Sequence, residues 1–223
     1  MPRDWRLRSA AILAHDELLR YLGHADQAIT PELEARIDAM VARCEEIARP
    51  ALVSRTFAAD QLPLELPGND IARHLAGAVE VVLLAVTLGH EVDRELRRLS
   101  FVDPLGQVLL DAAATWMVER EVDRAEAQVR LDAAGRGLFC SWRFSPGYGD
   151  LPLDVQGSLL AVLNAQRRLG ITLTASNLMV PTKSVTAIVG VHPTPQPGLA
   201  SSCAVCSLAE FCVLRERGVT CRG

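Results

Sequence analysis

Residues 79–89 read VEVVLLAVTLG, an almost unbroken apolar run that is rich in β-branched side chains and closes at Gly89. A run of this composition favours a β-strand covered on both faces, although a buried helix has the same hydropathy. It is far too short to span a bilayer. We therefore expect a buried strand here and no insertion into a membrane.

Helical patterns lie on both sides of this run. Residues 30–32, Thr-Pro-Glu, form a cap followed by a proline start, and the apolar residues after them repeat at helical spacing and include Cys44. This thiol is therefore expected in the core. Asp103-Pro104 opens a second, longer helix that is expected to run to about Val129.

The second half of the chain combines one more helix with two strand-like runs. Asp154 is expected to cap a helix that stops at Gly170, and residues 171–174 and 184–191 are rich in β-branched side chains. A loop centred on Pro181 separates these two runs. The whole pattern predicts an α+β fold in which an antiparallel β-sheet is flanked by helices, with a small metal-binding C-terminal tail.

Composition narrows the class of protein. The 223 residues are 49% hydrophobic and 22% charged, enough for a sizeable core, and the formal net charge is −4. A net negative charge argues against partners held by phosphate contacts, such as nucleic acids or anionic lipids. Residues 1–22 lack the unbroken apolar segment of a signal peptide. We expect a cytoplasmic protein that binds neither nucleic acid nor membrane.

Four of the six cysteines crowd into the last 21 positions, with the spacing C-x2-C-x5-C-x8-C. Reduced thiols clustered in this way indicate metal ligation before disulfide pairing. Because only the first pair is short, the spacing favours an iron–sulfur cluster over zinc, with redox disulfides as a third reading. The expected ligands are Cys203, Cys206, Cys212 and Cys221.

A proline-rich linker at residues 192–198 separates this tail from the rest of the chain. The predicted units are therefore residues 1–198 and 199–223. Cys140 is expected to be a core thiol and not a fifth ligand. The five histidines show no metal-ligand spacing, so each is expected at the surface or at a helix end.

Two short motifs lie in the irregular regions of the second half. Residues 143–148 read RFSPGY, and residues 173–188 read LTASNLMVPTKSVTAI. They resemble, in the same order, the R-x-x-P-G-Y and L-T-x-S-x-x-M-x-P-x-x-S-V-S segments of the activation domain of vitamin B12-dependent methionine synthase. Two matches in order are much more specific than one.

The resemblance implies a domain that binds S-adenosylmethionine and docks over a corrin, so that cob(II)alamin is reduced by one electron and remethylated. Arg143 and Tyr148 match the ligand-contacting arginine and tyrosine of the family, and Pro146 and Gly147 shape the turn between them. An acidic partner is expected on the preceding helix, at Glu119 or Glu121.

The chemistry of these residues suits S-adenosylmethionine. A guanidinium binds a carboxylate with a two-pronged fork, and a sulfonium is attracted to carboxylates and aromatic faces. Glycine permits close approach of the backbone to a ligand. Two alternatives stay open at the level of sequence: Arg143 as an exposed surface arginine, and Tyr148 as an anchor that packs its ring on the core.

No cobalamin-binding signature D-x-H-x-x-G is present, so cobalamin is expected to be presented by a partner. The expected partner is a corrinoid protein or a cobalamin-dependent methyltransferase, on which this chain would act in trans, with an electron-donor protein as a further possible partner. The tail is expected to deliver the electron. The alternative function is a non-enzymatic docking or scaffold module whose tail holds structural zinc.

Overall fold

The structure, a computed structural model, describes residues 18–23 and 28–196. The predicted tail, with its four cysteines, lies outside these residues. In chain order the elements are α1 (Pro31–Ile47), β1 (Ala51–Ala58), a 3-10 turn (Ala59–Gln61), α2 (Asn69–His74), β2 (Glu80–Thr87), α3 (His90–Val102), α4 (Pro104–Ala134), β3 (Phe139–Cys140), α5 (Val155–Leu163), α6 (Ala165–Leu169), β4 (Thr172–Leu173), β5 (Met179–Val180) and β6 (Ser184–His192).

The main sheet has four strands in the order β1-β2-β6-β3, and every neighbouring pair is antiparallel. The apolar run identified in the sequence forms β2, with β1 on one side and β6 on the other. Residues 81–87 are all buried, as expected of a strand covered on both faces. The predicted α+β class with an antiparallel sheet and flanking helices is confirmed.

The alternation of side chains in β2 divides the core between two helical layers. Val82, Leu84 and Val86 pack with α1, α3 and α4 on one face of the sheet. Val81 and Leu83 pack with α2, α5 and α6 on the other face. Truncation of a fully buried leucine such as Leu83 or Leu84 typically costs about 2–5 kcal/mol, so both layers hold the sheet firmly.

The two predicted proline-start helices are confirmed, with one difference in length. The Oγ1 of Thr30 accepts a hydrogen bond from the backbone N–H of Leu33 at 3.3 Å, and Asp103 accepts one from Gly106 at 3.0 Å. Helix α4 continues to Ala134, five residues beyond the expected Val129. Ala133, in this last turn, is 1% exposed, so packing extends the helix to the glycine at position 135.

The helix expected after Asp154 differs in two respects. The carboxylate of Asp154 does not cap α5; it accepts a hydrogen bond from the side-chain amide of Asn177 at 2.7 Å. Asn164 adopts a left-handed conformation and divides the segment into α5 and α6, which ends at Gly170 as expected. The run at residues 171–174 forms a separate two-stranded sheet with β5 and does not join the main sheet.

The buried thiol is confirmed, and one of the three histidines among the described residues contradicts its expected position; His15 and His24 lie outside those residues. Cys44 is 0% exposed, and burial raises its pKa to about 11. His74 and His90 lie at helix ends. His192, however, is fully buried at the end of β6, where burial lowers its pKa and the backbone of Gly77 partly offsets that effect. Its ladder pairing with Phe139 continues the sheet into the proline-rich segment.

Candidate functional site

The motif at residues 143–148 begins as an extension of the sheet edge. After the short strand β3, Phe144 pairs with Ile188 of β6 through two backbone hydrogen bonds, of 2.9 and 2.7 Å. Phe144 enters the core on the α5 side of the sheet. Because neighbouring side chains on an extended chain point to opposite faces, Arg143 is directed to the side of α4.

Three carboxylates of α4 hold the guanidinium of Arg143. Its Nη2 donates to Oε2 of Glu119 at 2.8 Å, and its Nη1 donates to Oε2 of Glu126 at 3.0 Å and to Asp123. Only 12% of the Arg143 side chain is exposed. The alternative of an exposed surface arginine is therefore wrong. Of the two acidic candidates, the structure brings Glu119 to Arg143, whereas Glu121 pairs with Arg124.

The three carboxylates of α4, Glu119, Asp123 and Glu126, form an acidic stripe that is also bonded to the strand before the motif. Arg130 donates to Oε1 of Glu126 at 2.6 Å and also to the backbone carbonyl oxygens of Cys140 and Ser141, at 3.0 and 2.8 Å. Asp123, Glu126 and Arg130 were missed at the level of sequence. Their signal was nevertheless present, because positions 119, 123, 126 and 130 follow helical spacing and occupy one face of α4.

The cluster carries more negative than positive charge. Two guanidinium groups, those of Arg143 and Arg130, face the three carboxylates of Glu119, Asp123 and Glu126, which leaves a net charge of −1. Burial alone would lower the pKa of Arg143, but the bond to Asp123 and the three surrounding carboxylates outweigh it and raise that pKa. Such a cluster can accept a ligand that bears both a carboxylate and positive charge.

The remainder of the motif is a tight turn. Gly147 adopts a φ of +88°, which favours glycine, and its N–H donates to the carbonyl of Leu151 at 2.9 Å. The N–H of Tyr148 donates to the carbonyl of Ser145 at 3.1 Å. The Tyr148 residue is 64% exposed, so the alternative that it anchors the loop on the core is wrong. Pro146, which is buried, precedes the glycine.

The structure joins the two sequence motifs. Ser145, in the first motif, donates from its hydroxyl to the carbonyl of Thr186 in β6 at 2.7 Å. The Thr186 hydroxyl in turn lies 2.8 Å from Nε2 of Gln156, which is buried in α5. The second motif therefore contacts the first motif through Thr186 and holds the turn in place. The loop of the second motif is exposed, and Leu178 within it is 58% exposed.

Cys140 is half-buried, and burial raises the pKa of its thiol. Among residues 18–23 and 28–196, no three His, Cys, Asp or Glu side chains are grouped so as to hold a metal ion. The predicted ligands Cys203, Cys206, Cys212 and Cys221 lie outside the described residues, so metal binding by the tail stays a prediction.

None of the described helices is both long and apolar enough to cross a membrane.

Comparisons with known proteins agree with the residues that carry the resemblance. A family model described as the activation domain of vitamin B12-dependent methionine synthase matches residues 71–197. A solved structure, the MetH reactivation domain bound to AdoHcy, has a TM-score of 0.56 and 14% sequence identity, and the match covers 91% of this chain and 80% of that one. No curated protein matches. The chain belongs to the activation-domain family of vitamin B12-dependent methionine synthase, and its role lies in cobalamin activation.

Proposed function

We propose that the protein binds S-adenosylmethionine at residues 143–148 and uses it to restore methylcobalamin on a partner corrinoid protein. The observation that carries this proposal is the position of Arg143. The guanidinium lies at the motif-matched position, nearly buried, and is surrounded by carboxylates that give the cluster a net negative charge.

The ligand has a functional group for each part of the site. Its carboxylate pairs with the Arg143 fork in exchange for one of the present carboxylates, of which Asp123 is the most exposed, at 62%. The displaced carboxylate and the neighbouring Glu119 then face the ammonium and sulfonium groups. The exposed ring of Tyr148 offers an aromatic face to the cation or the adenine. Pro146 and Gly147 shape the turn that holds this ring.

Cob(II)alamin, presented by the partner as the substrate, would accept one electron to give cob(I)alamin. The methyl group of the sulfonium would then pass to cob(I)alamin as its C–S bond breaks, which leaves S-adenosylhomocysteine and methylcobalamin. This chain supplies the ligand site and its orientation. The proposed partner is a corrinoid protein or a cobalamin-dependent methyltransferase. The electron comes from the four-cysteine tail, or from an electron-donor protein that passes the electron to this tail.

We further propose that Cys203, Cys206, Cys212 and Cys221 ligate an iron–sulfur cluster. Anaerobic purification followed by iron, zinc and acid-labile sulfide analysis tests this assignment. Iron and sulfide in similar amounts support it. Zinc without sulfide assigns the tail a structural role, which is the docking-module alternative, and moves the electron source to another protein.

Calorimetric titration with S-adenosylmethionine tests the binding site directly. Wild-type protein should bind, and Arg143→Ala should bind about tenfold to a hundredfold more weakly, as expected for loss of a charge-assisted hydrogen bond. The matched control is Arg124→Ala, which removes an exposed arginine of the neighbouring helix α4. Absence of binding by the wild type at millimolar ligand, or equal binding by Arg143→Ala, would show that the assignment is wrong.

A further inference from the structure

The turn that carries Tyr148, residues 145–151, lies against the start of helix α2, and a glycine faces an aspartate at two points of this contact. A β-carbon at Gly68 would collide with the carboxylate of Asp150, and a β-carbon at Gly149 would collide with the carboxylate of Asp70. Each glycine thus leaves room for the aspartate of the other segment. Both glycines also have a positive φ, +135° and +54°, which favours glycine.

Asp150 holds the two segments together through backbone hydrogen bonds. Its Oδ2 accepts from the N–H of Asn69 at 2.6 Å, and its Oδ1 accepts from the N–H of Asp70 at 3.0 Å. These N–H groups, first that of Asp70 and then that of Asn69, lower the pKa of the Asp150 carboxyl, so it is ionised at neutral pH. Ile71, in the same short helix, is 0% exposed, so α2 is itself fixed in the core.

The position of Asp150 in the turn makes this contact relevant to Tyr148. Asp150 lies two residues after Tyr148, and the intervening turn is closed by the bond from the N–H of Leu151 to the carbonyl of Tyr148, at 3.1 Å. At the other end, the Ser145 hydroxyl is bound to β6. The turn is therefore fastened on both sides, whereas the exposed tyrosine ring adds little packing to hold it.

We propose that Asp150 is the positioning residue of the S-adenosylmethionine site, which it serves by fixing the turn that carries Tyr148 through the two N–H groups of α2. This inference rests on the proposed function. Asp150 does not touch the ligand. It stabilises the bound form of the turn in advance, so that binding does not have to order the segment at a cost in conformational entropy.

The variants Asp150→Ala and Asp150→Asn test the proposal against Asp60→Ala, which removes an exposed aspartate of the 3-10 turn. In calorimetry with S-adenosylmethionine, affinity should fall about tenfold for Asp150→Ala, with a less favourable binding entropy. Asp150→Asn keeps one acceptor and should lie between Asp150→Ala and the wild type. Asp60→Ala should bind as the wild type does.

Hydrogen exchange without ligand provides a readout that does not depend on the proposed function. In Asp150→Ala, the hydrogen-bonded amides of Gly147, Tyr148 and Leu151 and those of Asn69 and Asp70 should exchange at least about tenfold faster than in the wild type. The amides of α4 should keep their protection. If the wild type binds no S-adenosylmethionine but this exchange pattern holds, the proposed function fails and Asp150 still fixes the turn. The positioning role is overturned if Asp150→Ala exchanges its amides as slowly as the wild type. It is also overturned if the wild type binds S-adenosylmethionine and Asp150→Ala binds it with the same affinity.

Discussion

Arg143 and Tyr148 stand at the two ends of one six-residue motif, yet the fold holds them by opposite means. Arg143 is nearly buried, and three carboxylates fix its side chain. Tyr148 is 64% exposed, and only its backbone is fixed. The difference shows that a ligand must compete with existing ion pairs at the arginine end, whereas at the tyrosine end it meets a preformed surface. Substitutions should therefore affect stability and binding differently at the two ends.

The largest loss of stability is expected at the arginine end. Arg143→Ala removes the guanidinium that bonds Glu119, Asp123 and Glu126, of which Arg130 continues to bond Glu126. This loss should lower the free energy of unfolding by about 2–4 kcal/mol. Denaturant unfolding at pH 7 gives the value. Arg124→Ala, which breaks an exposed i,i+3 pair on helix α4, should cost about 0–1 kcal/mol. Equal stability of the two variants would contradict the conclusion that the bonds between Arg143 and the three carboxylates stabilise the fold.

Glu95 provides a reference carboxylate–arginine cluster away from the motif. Bonds from Arg98 and Arg43 lower its pKa to about 2, against the burial that opposes them. A lowered folded-state pKa contributes stability above the unfolded value of about 4.5, and this contribution is lost as the pH falls towards about 2. Because Arg98 is 57% exposed, the contribution is discounted to about 1–3 kcal/mol.

The variant Glu95→Gln should therefore be less stable than the wild type at pH 7, and the gap should close between about pH 4.5 and pH 2. Urea unfolding at several pH values measures this gap. The control Glu65→Gln changes an exposed side chain and should show almost no gap at any pH. A gap for Glu95→Gln that stays constant on acidification would count against the ion-pair origin of the shift.

The turn between the two ends should respond through its backbone. Gly147→Ala forces a side chain onto a φ of +88°, which costs about 1–2 kcal/mol although the nearest atom, on Leu153, is 3.5 Å away. Gly157→Ala is the matched control, because Gly157 lies within α5 in ordinary contact with Leu173 and should gain about 0.5–1 kcal/mol. Thermal unfolding distinguishes them. A stabilising Gly147→Ala would show that the turn tolerates another conformation.

The smallest effect on stability is expected at the tyrosine end. Tyr148→Ala removes a largely exposed ring and should change the free energy of unfolding by less than about 0.5 kcal/mol. Its affinity for S-adenosylmethionine should nevertheless fall about fivefold, in line with an exposed cation–π contact. A loss of stability comparable to that of Arg143→Ala would remove the difference between the two ends.

Elements with strong periodicity could be predicted from the sequence, and contacts between distant segments could not. The β2 run and the Thr30 and Asp103 helix starts carry their signals locally, so their positions followed from residue spacing. Asp154 has the residue type of a cap, but Asn177, distant in sequence, binds its carboxylate instead. His192 was misplaced because its burial depends on pairing in the sheet and not on its polar neighbours.

The candidate site shows the same division. The motif residues Arg143, Pro146, Gly147 and Tyr148 could be identified from the sequence because they are contiguous. The bonds between Arg143 and the three carboxylates depend on how α4 packs beside the sheet edge. This packing places Arg143 in contact with Asp123, 20 positions earlier in the chain. The helical spacing of the acidic stripe marks a charged face, but no local signal shows that this face meets an arginine.

Methyl transfer to a partner tests the central claim most directly. S-adenosylmethionine with a labelled methyl group, a chemical reductant and the cognate cobalamin-dependent methyltransferase in its cob(II)alamin form are mixed with wild-type or Arg143→Ala protein, and methylcobalamin is followed by absorbance and by label. We expect labelled methylcobalamin with the wild type and little with Arg143→Ala. Persistence of cob(II)alamin with the wild type, or equal labelling by both proteins, would contradict the proposed activation at this site.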